Sequence, residues 1–244
     1  MEIEVSGAKI LYQNSWFCLT ETVVNMWIVM AVITVLCFIL GRNLKVRPEG
    51  KRQIIAEFIV KWVNNLVNSN MGDRFSNYAP LAAAILSMSA LCSLSSLFTL
   101  FAPTVDLSCE IGWALLVFIL ITYYKIKTNG IKGYVVAYFK PIPVLMPINV
   151  IGEIATPISM AFRHYGNMAS GTIISSLIYA PLAVASRALL GLLPGVVGEL
   201  ASKVPLLQVG IPAVLSLYFD LFSSVLQAFI FCMLTMINIK TAAE

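Results

Sequence analysis

The sequence predicts an all-α integral membrane protein, with about five transmembrane helices, one interfacial amphipathic helix and a long tilted helical hairpin at the C-terminal end. Three observations lead there. Hydrophobic residues make up 59% of the chain and charged residues 11%, with a mean hydropathy of +0.87, against about 25% charged residues in soluble domains. The apolar residues come in runs close to the ~20 needed to cross the hydrocarbon core. The charges collect in short clusters between those runs, so residues 1–244 read as a single membrane domain.

The start, MEIEVSGAKI, is acidic where a signal peptide needs a basic segment, so the first apolar run is expected to be retained as a span over 22–40. After it Arg42, Lys45, Arg47, Lys51 and Arg52 crowd one short stretch, which the positive-inside rule makes cytoplasmic. Over 52–69, Ile54, Ile55, Phe58, Ile59, Trp62, Val63 and Leu66 recur at helical spacing opposite Glu57, Lys61, Asn64, Asn65 and Asn68. That pattern is an amphipathic helix lying on the inner interface. A span over 78–101 is rich in Ala and Ser, which lets helices approach closely. The loop after it carries Asp106 and Glu110 and no base. A span over 111–125 then delivers Lys125, Lys127, Lys132 and Lys140 to a second basic, cytoplasmic loop.

Two long segments, 147–185 and 205–239, complete the chain as a hairpin whose connection contains L-P-G-V-V-G. Alternation puts the N-terminus and the hairpin connection outside and the C-terminus inside, with ten of the sixteen basic residues cytoplasmic. A multi-pass protein of the bacterial plasma (inner) membrane fits this pattern. The basic loops read as topology signals that could also dock a partner subunit, and nothing suggests a nucleic-acid surface. Cys18, Cys37, Cys92, Cys109 and Cys232 lie far apart without C-x-x-C, so neither a disulfide set nor a metal site is expected. No cofactor is implied.

Glu153, Arg163, His164, Asp220 and Gln227 sit among apolar residues of the last two segments. A charge at membrane depth costs ~3 kcal/mol on insertion scales and ~10 or more in simulations, so Arg163 requires a function or a partner. Thr156, Ser159, Arg163, Gly166, Asn167 and Ser170 are spaced by three or four and form one stripe of mostly small residues. Asp220, Ser223, Ser224 and Gln227 form a matching polar stripe on the last helix. In an antiparallel pair Gln227 falls near the depth of Arg163, Asp220 on its external side and Glu153 on its cytoplasmic side. Two carboxylates separated in depth by a fixed cation describe two aqueous half-channels that do not connect. An ion then leaves one of them on a mobile carboxylate, whose pKa Arg163 lowers by ~1–3 units in passing.

The blocks A-F-R-H-Y-G-N-M-A-S-G at Ala161–Gly171 and L-Q-A-F-I-F at Leu226–Phe231 resemble subunit a of the bacterial F-type rotary ATP synthases, as do P-I-N-V-I-G-E-I-A-T-P-I-S and A-P-T-V-D-L. The resemblance implies a stator subunit beside a ring of c subunits, held by peripheral-stalk b subunits and coupled indirectly to the catalytic sector. Arg163 then matches the family's essential arginine, Asn167 its nearby asparagine and Gln227 the glutamine opposite. This chain departs from the family at Thr172, where many members have Glu or His, and at Asp220, where others have His or Glu, so the external half-channel is expected to depend on Asp220 alone. His164 stands where the family is usually apolar. It lies about 100° around the helix from Arg163, which favours packing or a lipid-interface position over proton relay.

The function expected is therefore ion translocation, of protons by default, by a subunit that is not an enzyme on its own. The alternative is a self-contained secondary transporter or channel with a midplane arginine, but internal repeats and broken helices of the transporter kind are not visible. An intramembrane metallohydrolase is disfavoured, since H-E-x-x-H is absent and there is one histidine. The bland alternatives are solvation for Glu153 near the cytoplasmic surface, an interhelical hydrogen bond for Asp220, and helix–helix glue for Gln227 and Asn167.

Overall fold

The structure is a computed structural model that describes residues 8–14, 17–46, 50–98, 100–140, 142–190, 214–215 and 217–243. Five of its helical stretches are long and apolar enough to cross a membrane. The chain begins, however, with two short antiparallel strands, β1 (Ile10–Asn14) and β2 (Phe17–Thr20), paired from Ile10 with Thr20 to Asn14 with Phe17. This small ribbon is the one departure from an all-helical reading among the described residues.

Helix α1 (Glu21–Gly41) is apolar around its whole circumference and buries only Thr22, Asn25 and Val29 against the chain. The rest faces outward, as an apolar span does toward lipid. Its first turn is pinned to the acidic end of the molecule, where Thr22 Oγ1 donates to Asp106 Oδ2 (2.8 Å) and Asn25 Nδ2 to the Phe101 carbonyl (2.9 Å).

Helix α2 (Lys51–Met71) has its apolar residues on two sides, a finer division than one stripe. Val63, Val67 and Met71 are buried in the protein, while Ile54, Ile55, Phe58 and Trp62 are exposed. The exposed group is what a helix lying along an interface presents to lipid. The helix ends at Gly72, whose φ of +89° suits glycine and whose N–H donates to the Asn68 carbonyl.

A 3-10 turn (Asp73–Tyr78) leads into α3 (Ala79–Leu94), which continues as another over Ser95–Phe98. Its small residues Ala79, Ala82, Ser89, Cys92 and Ser93 are buried, and they let the last helix come close enough for Cys232 Sγ to approach the Ala82 carbonyl at 3.5 Å.

Helix α4 (Leu107–Ala137) is much longer than a span over 111–125. Asp106 caps it by accepting the Ser108 N–H at 3.0 Å. Two corrections follow. Glu110 belongs to the first helical turn and is completely buried, not part of an external loop. Lys125, Lys127 and Lys132 ride on the helix, which changes direction only at Gly130 (φ +68°).

Helix α5 (Met146–Leu190) runs through Pro157 and Pro181. The L-P-G-V-V-G connection and the start of the segment expected over 205–239, residues 205–213, lie outside the described residues. The chain returns as a π-helical segment, Leu217–Ser223, and then as α6 (Ser224–Ala243). Val67, Ala82, Val117, Phe231 and Met236 are among the residues of α2, α3, α4 and α6 that meet in the core, with Phe75 of the 3-10 turn and Met160 of α5 reaching in.

Candidate ion-translocation site

The site is built on the antiparallel pairing of α5 with the last helix. Side-chain contacts fix the register: Asn238 Nδ2 meets Met160 Sδ (3.6 Å), the His164 ring lies edge-on to Phe231 (centroids 5.7 Å), and Ser223 Oγ donates to Asn167 Oδ1 (2.8 Å). Ser224 Oγ also donates to Met168 Sδ (3.2 Å). Gln227, 8% exposed, therefore lies between the levels of His164 and Asn167 and so within about a turn of Arg163. Just beyond, a Cβ on Gly171 would stand 3.2 Å from Phe219 Cβ, so the helices touch backbone-close there.

Arg163 does not point into the bundle. It is exposed on the flank of α5 together with Thr156, Ser159 and Ser170, with Gly166 and Asn167 at the edge of the same face. Among the described side chains none pairs with it. An unneutralised guanidinium on a membrane-facing flank is costly, and the small residues around it leave room for a foreign helix to approach.

The backbone of Asp220 lies in the π-helical segment, while its side chain lies outside the described part of the structure. Single π turns recur at functional sites, and three residues on is Ser223, which bonds Asn167.

Glu153 is the best-defined carboxylate of the site. Its side chain is 9% exposed, and Lys125 Nζ lies 3.0 Å from Oε1. Tyr134 donates to Oε1 (3.1 Å) and Tyr138 to Oε2, with the two hydroxyls 2.5 Å apart. Burial pushes the Tyr138 hydroxyl above the ordinary tyrosine range, which keeps it a donor. The group opens on a cavity of about 590 Å³ lined by Lys125, Asn129, Tyr134, Asn149, Glu153 and Thr156. Tyr134 and Tyr138 carried no signal in the sequence, because their part in the site depends on α4 continuing past Lys125.

Reasoning from sequence also missed a second polar cluster on the opposite side of α5. His164 is completely buried, with Nδ1 3.6 Å from Glu110 Oε2 and Nε2 3.5 and 3.4 Å from the hydroxyls of Ser89 and Ser93. His164 is packed in the interior, and a lipid-interface position is excluded by its burial.

Comparison with known proteins gives this geometry its context. The model of the ATP synthase A chain family matches residues 23–240. The chain is 30% identical to ATP synthase subunit a of Desulforamulus reducens over 225 residues, covering 91% of this chain and 79% of the relative. It is 32% identical to that of Priestia megaterium over 223 residues, 87% of this chain and 86% of the relative. It is also 30% identical over 240 residues, 92% and 74% of the two chains, to a protein of Propionigenium modestum described as ATP synthase subunit a, sodium ion specific. These matches leave a self-contained transporter without support. With five apolar helices and a lone arginine on the flank of the fourth span, the chain belongs to the ATP synthase A chain family, as a multi-pass, ion-translocating stator subunit that is not itself catalytic.

Proposed function

We propose that this chain provides two half-channels to a ring of c subunits, with Arg163 as the barrier between them, and that the ion is the proton. The observation that carries the reading is the exposure of Arg163 on a flank of small residues, with no described partner in its own chain. Such a charge is made tolerable by a carboxylate from outside, and a carboxylate that moves past it gives up its ion because the guanidinium favours the ionised form. Arginine suits this better than lysine, since it stays charged where burial neutralises an amine.

The cytoplasmic half-channel is the cavity at Glu153, where Lys125 and the two tyrosines hold the carboxylate ionised and in place. The external half-channel runs by Asp220, with Asn167 and Gln227 as polar support beside Arg163. The basic end of α4 then faces the cytoplasm of a bacterial cell, and the N-terminus and the Asp106 loop face outward. Peripheral-stalk b subunits hold the chain still against the ring. The test is Arg163→Ala in membranes containing the assembled complex. Ion-driven ATP synthesis is expected to fall about tenfold or more, since a barrier charge worth ~1–3 pKa units to the passing carboxylate is gone; synthesis at the wild-type rate would rule the assignment out.

A further inference from the structure

Glu110 and His164 are the most deeply buried titratable pair among the described residues, and neither half-channel as assigned above uses them. Both side chains are 0% exposed. Their 3.6 Å separation is within ion-pair reach when His164 is protonated and too long for a hydrogen bond. Both Glu110 oxygens and His164 Nδ1 consequently lack a hydrogen-bond partner among the described residues. The surroundings do not compensate. From α3 the pair meets the hydroxyls of Ser89 and Ser93 through Nε2, and from α6 the ring of Phe231. The thiols of Cys92 and Cys109 and the carboxylate of Asp106 complete the titratable groups nearby. Among the described residues no lysine or arginine pairs with Glu110.

A pair of this kind is a poor device for stability alone. Well-packed apolar residues usually serve as well as a buried ion pair or better, and an orphaned buried polar atom calls for an explanation. Its position supplies one. Asp106 stands half-buried at the external end of α4, Glu110 one helical turn further in, and His164 directly beyond. Three residues back toward the external end of α5 from His164 stands Asn167, whose Nδ2 is likewise buried without a partner among the described residues and whose Oδ1 accepts from Ser223. Titratable groups thus run from the loop before α4 to the residue adjoining Arg163.

Resting on the reading of this chain as a proton-translocating stator, we propose that Glu110 and His164 form a proton-exchange station of the external half-channel, in addition to Asp220. One exchangeable proton belongs to the pair. It resides on the carboxyl beside a neutral imidazole, or on Nδ1 of an imidazolium beside a carboxylate, and the proton lost by one partner is the proton gained by the other. Both arrangements are neutral overall, so the proton shifts inward without a net charge forming in the interior. As a second proton reaches the vacated Glu110 by way of Asp106, Nε2 passes its own to the hydroxyl oxygen of Ser89 or Ser93, which gives up its proton in turn, and the ring, left with its proton on Nδ1, flips before the next transfer. The station supplies titratable groups on the external side of a chain that has threonine at position 172.

The test uses inverted vesicles containing the assembled complex, with ATP-driven acidification read by a pH-sensitive dye and the content of this chain in the complex measured in parallel. Glu110→Gln preserves size and removes the exchangeable proton. It is expected to slow acidification about tenfold or more at normal chain content, general acid–base groups typically contributing at least that much, and Glu110→Asp is expected to recover part of the rate. Wild-type acidification by Glu110→Gln overturns the station. If that variant does not assemble, the double variant Glu110→Leu/His164→Leu replaces the pair with apolar residues: slow acidification in the assembled complex supports the station and wild-type acidification overturns it. Failure of both variants to assemble assigns the pair to folding and overturns it as well. Arg163→Ala is run beside them. Retained acidification there overturns the whole site reading, whereas retention in Glu110→Gln alone removes only the station.

Discussion

Arg163 and His164 are neighbours in sequence and opposites in environment, the first exposed on the flank of α5 and the second sealed inside the bundle. A rotation of about 100° per residue is enough to separate them. In the proposed role the outer residue meets a group from another subunit, while the inner one lies against Glu110. At this scale the clearest expectation concerns Asp220. Replacing it by Asn keeps the side chain's shape and removes its charge, so ion flux through assembled complexes should fall severalfold while chain content stays normal; unchanged flux would remove Asp220 from the pathway. Arg163 stood out as a candidate from sequence alone, because the energetic cost of a charge in an apolar run is a local property. Sequence was insufficient for Glu110, which directly precedes the apolar run from Ile111 and so looked like the last residue of a loop, and whose burial follows from Asp106 starting the helix one turn earlier.

The helices were legible in proportion to how far their hydropathy alone determines them. Helix α1 covers Glu21–Gly41, a stretch apolar on every side, and it could be read directly. Helix α4 could not. Lysines at 125, 127 and 132 resemble a loop, yet long basic side chains near a membrane surface extend from a helix into the headgroups without ending it. The consequence was functional, since Tyr134 and Tyr138 reach Glu153 only because the helix carries on. The β1–β2 ribbon was missed because its five-residue strand, ILYQN, shows no sustained alternation. Contact between α5 and the π-helical segment rests on Gly171, where any Cβ meets Phe219. Gly171→Val should destabilise that contact by about 1–3 kcal/mol, the usual cost of overpacking, seen as a lower thermal midpoint of the detergent-solubilised complex. An unchanged midpoint would mean that the two segments can separate at no cost.

As a whole the molecule is one side of a device. Among the described residues, polar groups gather at the Glu153 cavity and at Asn167 with Ser223, and Arg163 stands exposed on the flank of α5 between those levels. A sodium ion specific relative in Propionigenium modestum makes the identity of the ion a property to be measured. If the ion is the proton, ATP synthesis should be independent of added Na⁺ and abolished by a protonophore, whereas dependence on Na⁺ with protonophore resistance would reverse that assignment. The central claim is that Arg163 keeps two aqueous paths apart. It is tested most directly by the passive ion permeability of vesicles whose complexes have the catalytic sector inhibited, so that rotation is blocked. Wild-type vesicles should hold an imposed proton gradient and Arg163→Ala vesicles should lose it markedly faster, because ions then cross from one path to the other without rotation. Equal retention of the gradient by both, at equal content of the complex, would contradict the account.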